Sequence, residues 1–480
     1  MPGLLRNLNP FKSLPNPREI FSWGMYDLAN QSFTLLIITL LFSLYVQQVV
    51  TPQPEFSPEQ IAMLEQVQAG EREADGDSEA MLAELDRARS RGDWNWSLLH
   101  GGSLLIVVIV SPLMGALADS RGWRKQVLIT TGVICVTLTA GLWFVGPGML
   151  LLAALLYIPA NIAYQLGENF LASFLPAISS SRTIGRVSAI GWSMGYLGAL
   201  LLLILLGLAM MIFGLEKTED WRPLFVFAAF WFLVFMIPVI LFLRDDDGDR
   251  VKDNGGLYAE SVGRFAQTVR NAAQYRQLVI FLTAFFVYAL GMQTVIGFAS
   301  IIAKSFGIEG MALVGFVLQI TVTAGLAAFV TSKFQDRIGC RSTLFIYLSV
   351  WIASCSGLIW LTVSAIAPAW AFWVIGNGLG FALGGTGTAS RSMVGRFAPL
   401  HRTAEFFGLW GTAYRLAGAL GVLSFGFVRS RIGDGASIVL LTSFFVVGLV
   451  LLLRVNETAG YRVAQREQRD HIRKTGSPGL

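Results

Sequence analysis

Charged residues are scarce in this chain, at 14% of 480 positions against 54% hydrophobic. Water-soluble domains carry about 25%, so a surface wetted on all sides is excluded. Cysteine is nearly absent. Cys135, Cys340 and Cys355 lie in or beside apolar stretches without paired spacing, which indicates neither a disulfide framework nor a zinc site. Of three histidines, His401 falls in a loop, His471 in the tail and His100 alone near one end of an apolar run. No Ser-His pair or His-rich cluster stands at membrane depth, which argues against a membrane-embedded enzyme. No Gly-x-x-x-x-Gly-Lys-Ser/Thr loop is present, so ATP is not the expected energy source and no cofactor is implied. The first residues lack a compact apolar core and a small-residue cleavage site, so the first apolar run is expected to act as its own insertion signal.

What the chain has is apolar runs of about 20 residues, long enough to cross a bilayer as helices. Twelve spans are predicted: 20–48, 95–118, 126–146, 149–171, 187–213, 222–243, 277–303, 310–331, 343–366, 370–393, 405–428 and 436–454. The fold class is therefore an all-α polytopic membrane protein. Arg6, Lys12 and Arg18 precede the first span, and Arg462, Arg466, Arg469, Arg473 and Lys474 follow the last. An even number of spans puts both ends on one side, and their basic character makes that side cytoplasmic. The net charge of +5 reflects these loops and tails, not nucleic-acid binding.

The segments divide as a cytoplasmic tail (1–19), a first six-helix bundle (20–243), a linker (244–276), a second bundle (277–454) and a cytoplasmic tail (455–480). Residues 51–93 form an external insert with eleven acidic residues and four arginines, whose composition predicts a short helical hairpin. In the linker, Phe265, Val269 and Ala272 share one helical face, as an interfacial helix would have it.

Internal repetition supports the two halves. GALADSRGWRKQVL (115–128) and SKFQDRIGCRSTLF (332–345) share Asp119/Asp336, Gly122/Gly339 and Arg124/Arg341 at an offset of 217. SRTIGRVSAIGWSMGYLGAL (181–200) and HRTAEFFGLWGTAYRLAGAL (401–420) correspond at an offset of 220. YDLANQS (26–32) matches YALGMQT (288–294), pairing Tyr26 with Tyr288 and Gln31 with Gln293. Two bundles of parallel topology with a pathway between them follow.

Six plus six helices, with Gly115, Asp119, Gly122, Arg124 and Lys125 in the loop after span two, resemble the major facilitator superfamily. The second copy carries Asp336, Arg337, Gly339 and Arg341, with Ser332 in place of the glycine. WGMYDLANQSF, FLPAISSSRTIGRVSAIGWSMGYLGALL and RTAEFFGLWGTAYRLAG are similar to the vacuolar-effluxer-like branch. That resemblance implies alternating access between two bundles and a small polar, amino-acid-like solute, since fungal members are associated with amino-acid export. It also implies that Asp119 and Arg124 hold the cytoplasmic ends together in one state, and that Gln31 and Gln293 line the pathway. A monomeric carrier in a bacterial inner (plasma) membrane is expected, with protons or another ion as coupling partner.

Ionisable groups at membrane depth are costly and need partners. Tyr26, Asp27, Asn30 and Gln31 form a polar stripe that must face a bundle or an aqueous cavity. Either it is an interhelical hydrogen-bond network, or it recognises solute or carries a proton. Asp27 aligns with Ala289, so its charge belongs to one half. Arg415 takes the place of Gly195 in the other half and lies about 15 Å into the membrane from Glu405. Either a solute anion or a structural ion pair would satisfy it. Tyr164, Gln165 and Glu168 add polar groups to span four, and the repeat sets Glu168 opposite Arg391, as an inter-bundle gate or as separate interfacial groups. The competing function is a membrane scaffold or sensor that kept the fold without transporting.

Overall fold

The structure, a computed structural model, describes residues 11, 14, 16–68, 73–179, 183–244, 275–364, 368–399 and 402–475. The interfacial helix expected around Phe265, Val269 and Ala272 lies outside the described residues, as do Arg6, Lys12 and His401.

Long helices stand where the apolar runs placed them. Span one is Pro17–Val50, span three Arg124–Phe144, span four Leu150–Ser173, span six Thr218–Phe242 and span seven Arg276–Ser305. Span five is Ile184–Phe213, and spans eight and nine are Gly310–Ile338 and Cys340–Val363. Spans eleven and twelve are Thr403–Ile432 and Asp434–Leu452. Span ten, Ala369–Phe397, is helical throughout, although glycines, Asn377 and Arg391 dilute its apolar run. A further helix, Glu457–Thr475, follows span twelve. Span one is unusual: after Gln31 it widens into π-helix over Ser32–Leu41 and again over Val46–Val50.

Span two corrects its expected limits. The insert does fold back on itself, with Pro58–Gln68 as its first limb. Its second limb has no break before the membrane. One helix of 46 residues runs from Gly76 to Arg121, through Pro112. It starts where Asp75 and Ser78 cap it reciprocally, Ser78 N donating to Asp75 Oδ1 (2.9 Å) and Asp75 N to Ser78 Oγ (2.8 Å). It stops at Gly122, whose φ of 67° is the left-handed cap that explains this glycine of the loop motif.

Spans one to six pack as one bundle and seven to twelve as the other. The bundles meet where span two crosses span eleven, where span five crosses span eight, and where the second half of span one lies on span seven. Within the first bundle, spans one and five approach closely because glycine faces the seam. A Cβ on Gly191 would overlap the Trp23 ring, and one on Gly198 would lie 3.0 Å from the Leu28 backbone oxygen. Small residues allow this contact between membrane helices. Gly198→Val is expected to cost about 1–3 kcal/mol through overpacking, read as a lower thermal midpoint by tryptophan fluorescence. An unchanged midpoint would contradict the seam.

The two ends of the molecule differ. The insert side is closed: Gly426 of span eleven lies on Ser97, Gly101 of span two on Ala419 and Leu423, and Ser43 Oγ is 2.8 Å from Ser300 Oγ of the other bundle. Toward the side of the chain termini, Leu113 and Leu117 of span two are exposed, and Gly115 and Gly408 have open space before them. The bundles are thus shut at the insert side and parted at the terminal side.

Candidate functional site

The polar residues gather in the parted half, and the structure divides them by bundle. On the first bundle, Asn30 Nδ2 donates to Glu168 Oε1, tying span one to span four. Asn30 is buried, and its Oδ1 has no hydrogen-bond partner among the described residues. Asp27 and Glu168 are half-buried. The Asp27 carboxylate lies against Gly191, and the Gln31 amide reaches over Gly195 of span five. Glycines of span five thus make room for both groups.

On the second bundle the charges are positive. Arg391 of span ten and Arg415 of span eleven are half-buried. Asp27 feels the field of Arg391, and Glu168 feels those of Asp27, Arg415 and Arg391. Arg415 makes no hydrogen bond or ion pair to a described residue. Gln293 packs beside Gly418, as Gln31 does beside Gly195. One wall therefore carries carboxylates and the other guanidinium groups, with amides on both.

Several expected positions require correction. Tyr26 and Tyr288 face into their own bundles. Tyr26 is 1% exposed, lies against Gly132 and Gly167, and its hydroxyl is 3.5 Å from Leu128 O. Tyr288 is fully buried with its hydroxyl 2.8 Å from Ser390 Oγ. Tyr164 is likewise a brace, its hydroxyl 2.6 Å from Thr34 Oγ1 and its ring stacked on Phe33. The stripe on span one is therefore split, because residues 100° apart on a helix reach different neighbours. Gln165 is half-buried. Arg391 does not pair directly with Glu168 in this state. Its guanidinium lies 5.5 Å from the Trp192 ring centre, one of the contacts that cross between bundles at this end.

The loop motifs take unequal roles. Gly115 faces open space and Arg124 and Lys125 open span three, while Arg121 stacks over Trp123 at 4.7 Å. Asp119 sits in the last turn of span two, and its side chain is outside the described set. In the second copy Asp336 pairs with Arg396 (3.0 Å), which also pairs with Glu457 of the tail helix (2.6 Å). Glu457 accepts from the backbone N–H groups of Cys340 (3.1 Å) and Arg341 (2.9 Å), capping span nine. Gly339 suits this turn because its φ of 86° is one that other residues rarely adopt, and its bare Cα leaves room for Glu457 Oε2. Arg341 donates to Leu453 O, and Arg337 is exposed. A second cluster joins the Tyr275 hydroxyl to Glu467, with Arg402 donating to Tyr275 (2.8 Å) and to Glu405 (2.7 Å). Burial, then the Glu467 carboxylate, push the Tyr275 phenol above its usual range, so it remains a proton donor. Neither Arg396 nor Glu457 belongs to a repeated motif, so no local signal singles them out. Glu457→Ala is expected to free the tail helix at a cost of about 1–3 kcal/mol, with faster proteolysis after Leu452. A tail equally protected in the variant would refute that anchoring role.

Two bundles closed at one end over a polar gap define a carrier of the major facilitator class, and solved structures share the fold. A D-xylose-proton symporter superposes with a TM-score of 0.66 at 13% identity, over 92% of this chain and 98% of that one. The nucleoside transporter NupG, in a point-mutant form, gives 0.57 at 11% identity, over 92% and 99%. The chain belongs to the family described as "Vacuole effluxer Atg22 like", whose pattern matches residues 15–465. Among relatives, the uncharacterized MFS-type transporter YxiO of Bacillus subtilis (strain 168) is 24% identical over 457 residues, 93% of this chain and 96% of its own length. Autophagy-related protein 22-1 of Penicillium rubens is 25% identical over 447 residues, 75% of each chain. The protein is thus a multi-pass membrane protein of a secondary-transporter family, not of an enzyme family.

Proposed function

We propose that the chain moves a small polar, amino-acid-like solute by alternating access, with its termini in the cytoplasm of a bacterial cell. The supporting observation is the division of charge across the gap. Asp27 and Glu168 stand on one bundle, Arg391 and Arg415 on the other, all half-buried. A solute bearing both an ammonium and a carboxylate group would meet an opposite charge on each wall. Gln31, Gln293 and the unpaired Asn30 Oδ1 would supply neutral hydrogen bonds. Either carboxylate is a candidate to carry a coupled proton. The Asp336–Arg396–Glu457 cluster and the Asp119 loop would stiffen the cytoplasmic ends while the bundles rock.

The test is a solute screen in proteoliposomes, with and without a pH gradient, using the purified chain as a monomer. Saturable uptake of an amino-acid-like solute supports the reading. Folded protein that moves no solute in either condition would return the scaffold alternative to first place.

A further inference from the structure

At the insert side, far from the polar gap, Asp93 and Arg429 join span two to span eleven. Arg429 Nε lies 2.9 Å from Asp93 Oδ2, and the residues are 6% and 3% exposed, respectively. Two of their other polar atoms are also engaged. Asp93 Oδ1 accepts from Gln47 Nε2 of span one (2.6 Å), and Arg429 Nη2 donates to Ser305 Oγ of span seven (2.7 Å). The same Nη2 lies 3.1 Å from Asp434 Oδ1 at the start of span twelve. Five helices converge here, two from the first bundle and three from the second. By sequence alone Asp93 falls in the solvated insert and Arg429 has no assigned role.

A buried ion pair is weak evidence for stability, because removing two charges from water offsets their attraction. Such a pair can instead select one arrangement of the parts it joins. Here the parts are the two halves of a carrier, and the pair spans the end at which they are shut. Opening that side would return both charges to water, which lowers the cost of separating them. The surrounding backbone fits the same role. A Cβ on Gly426 would overlap Ser97 Oγ, so close approach of the bundles depends on glycine there, and Gly92, whose Cβ would lie 2.7 Å from Gln47 O, lets spans two and one meet beside the pair.

We propose that Asp93–Arg429 is a latch that holds the insert side shut while the terminal side is open, and that each transport cycle breaks and remakes it. The latch rests on the alternating-access reading but not on the identity of the solute. Its loss should shift the resting population toward a state open at the insert side.

The experiment places spin labels at exposed Arg91 and Ile432, on opposite bundles at the insert side, in the full chain in lipid nanodiscs. Pulsed distance measurements then compare the parent with Asp93→Asn, Arg429→Gln and Gly426→Val. The ratio of long to short distances should rise about tenfold in each variant, as loss of about 1.4 kcal/mol of bias would give. The charge exchange Asp93→Arg with Arg429→Asp should return part of the short-distance population. Unchanged distances in the folded single variants would overturn the latch, and Gly426→Val carries the same readout if the charge variants fail to fold. Widening in a chain that moves no solute would sink the transport reading and with it the claim that each cycle breaks the pair, leaving only its part in holding the insert side shut. Solute uptake without widening would overturn the latch and leave the transport reading standing.

Discussion

Arg415→Ala is expected to reduce solute uptake by about 100-fold below saturation. The cost of burying its charge is the starting point. A guanidinium ten residues beyond Glu405 sits about 15 Å further along span eleven, half-buried on the wall of the gap. The structure gives it no ion pair among the described residues, although it lies within the field of Glu168. A fixed charge kept there without a direct partner is available to an anionic group that arrives with the solute. Charge-assisted, two-pronged hydrogen bonds of this kind are worth about 2–5 kcal/mol when one partner is removed, hence the size of the loss. Arg415→Lys keeps the charge but not the planar fork and should fall between the two. Initial uptake rates against solute concentration decide the matter: full uptake by a folded Arg415→Ala protein would remove the residue from the site.

The second large effect is expected from Asp27→Asn. Asp27 has no counterpart in the other half, where Ala289 stands, so the scaffold alone does not call for it. Its carboxylate rests on Gly191 and faces the field of Arg391 across the gap. A group so placed changes the charge balance of the gap when it gains or loses a proton. The amide can do neither, so uptake driven by a pH gradient should vanish while solute exchange at equal pH persists. Glu168→Gln is the informative comparison, because the amide can still accept from Asn30 Nδ2 and the span-one to span-four tie would survive. A pH-gradient response equal to the parent in Asp27→Asn would exclude it as the coupling group, and an equal loss in both variants would make the pair the proton carrier.

Much of the architecture is legible in the sequence because its signals are long and repeated. A run of apolar residues has a length, and length against bilayer thickness gives a span. The correspondence of YDLANQS with YALGMQT points to two halves without any knowledge of contacts. It misleads at the tyrosines: repetition marks Tyr26 and Tyr288 as equivalent, but equivalence is as good a sign of a brace inside each bundle as of a pathway lining. Unmatched charge is the better guide, since Asp27 and Arg415 both stand at the gap. Arg396, Glu457, Asp93 and Arg429 escape notice because their meaning lies in pairs separated by 61 and 336 positions. No local period or motif joins such partners; only the packing of the helices does. The limits of span two are hidden for a related reason, since polar composition ends a membrane segment in sequence but does not end a helix.

That helix gives the carrier a property its chemistry does not. At about 1.5 Å per residue, the 46 residues from Gly76 to Arg121 make a rod about 69 Å long, more than twice the hydrocarbon core it crosses. Each degree by which the rod tilts about its inner end carries its outer tip sideways by about 1.2 Å, from that length alone. Small rotations of the first bundle are thereby magnified at a point well clear of the bilayer. A dye or antibody fragment fixed near Gly76 would act as the needle of a gauge, following the gating motion without touching the solute gap or the latch.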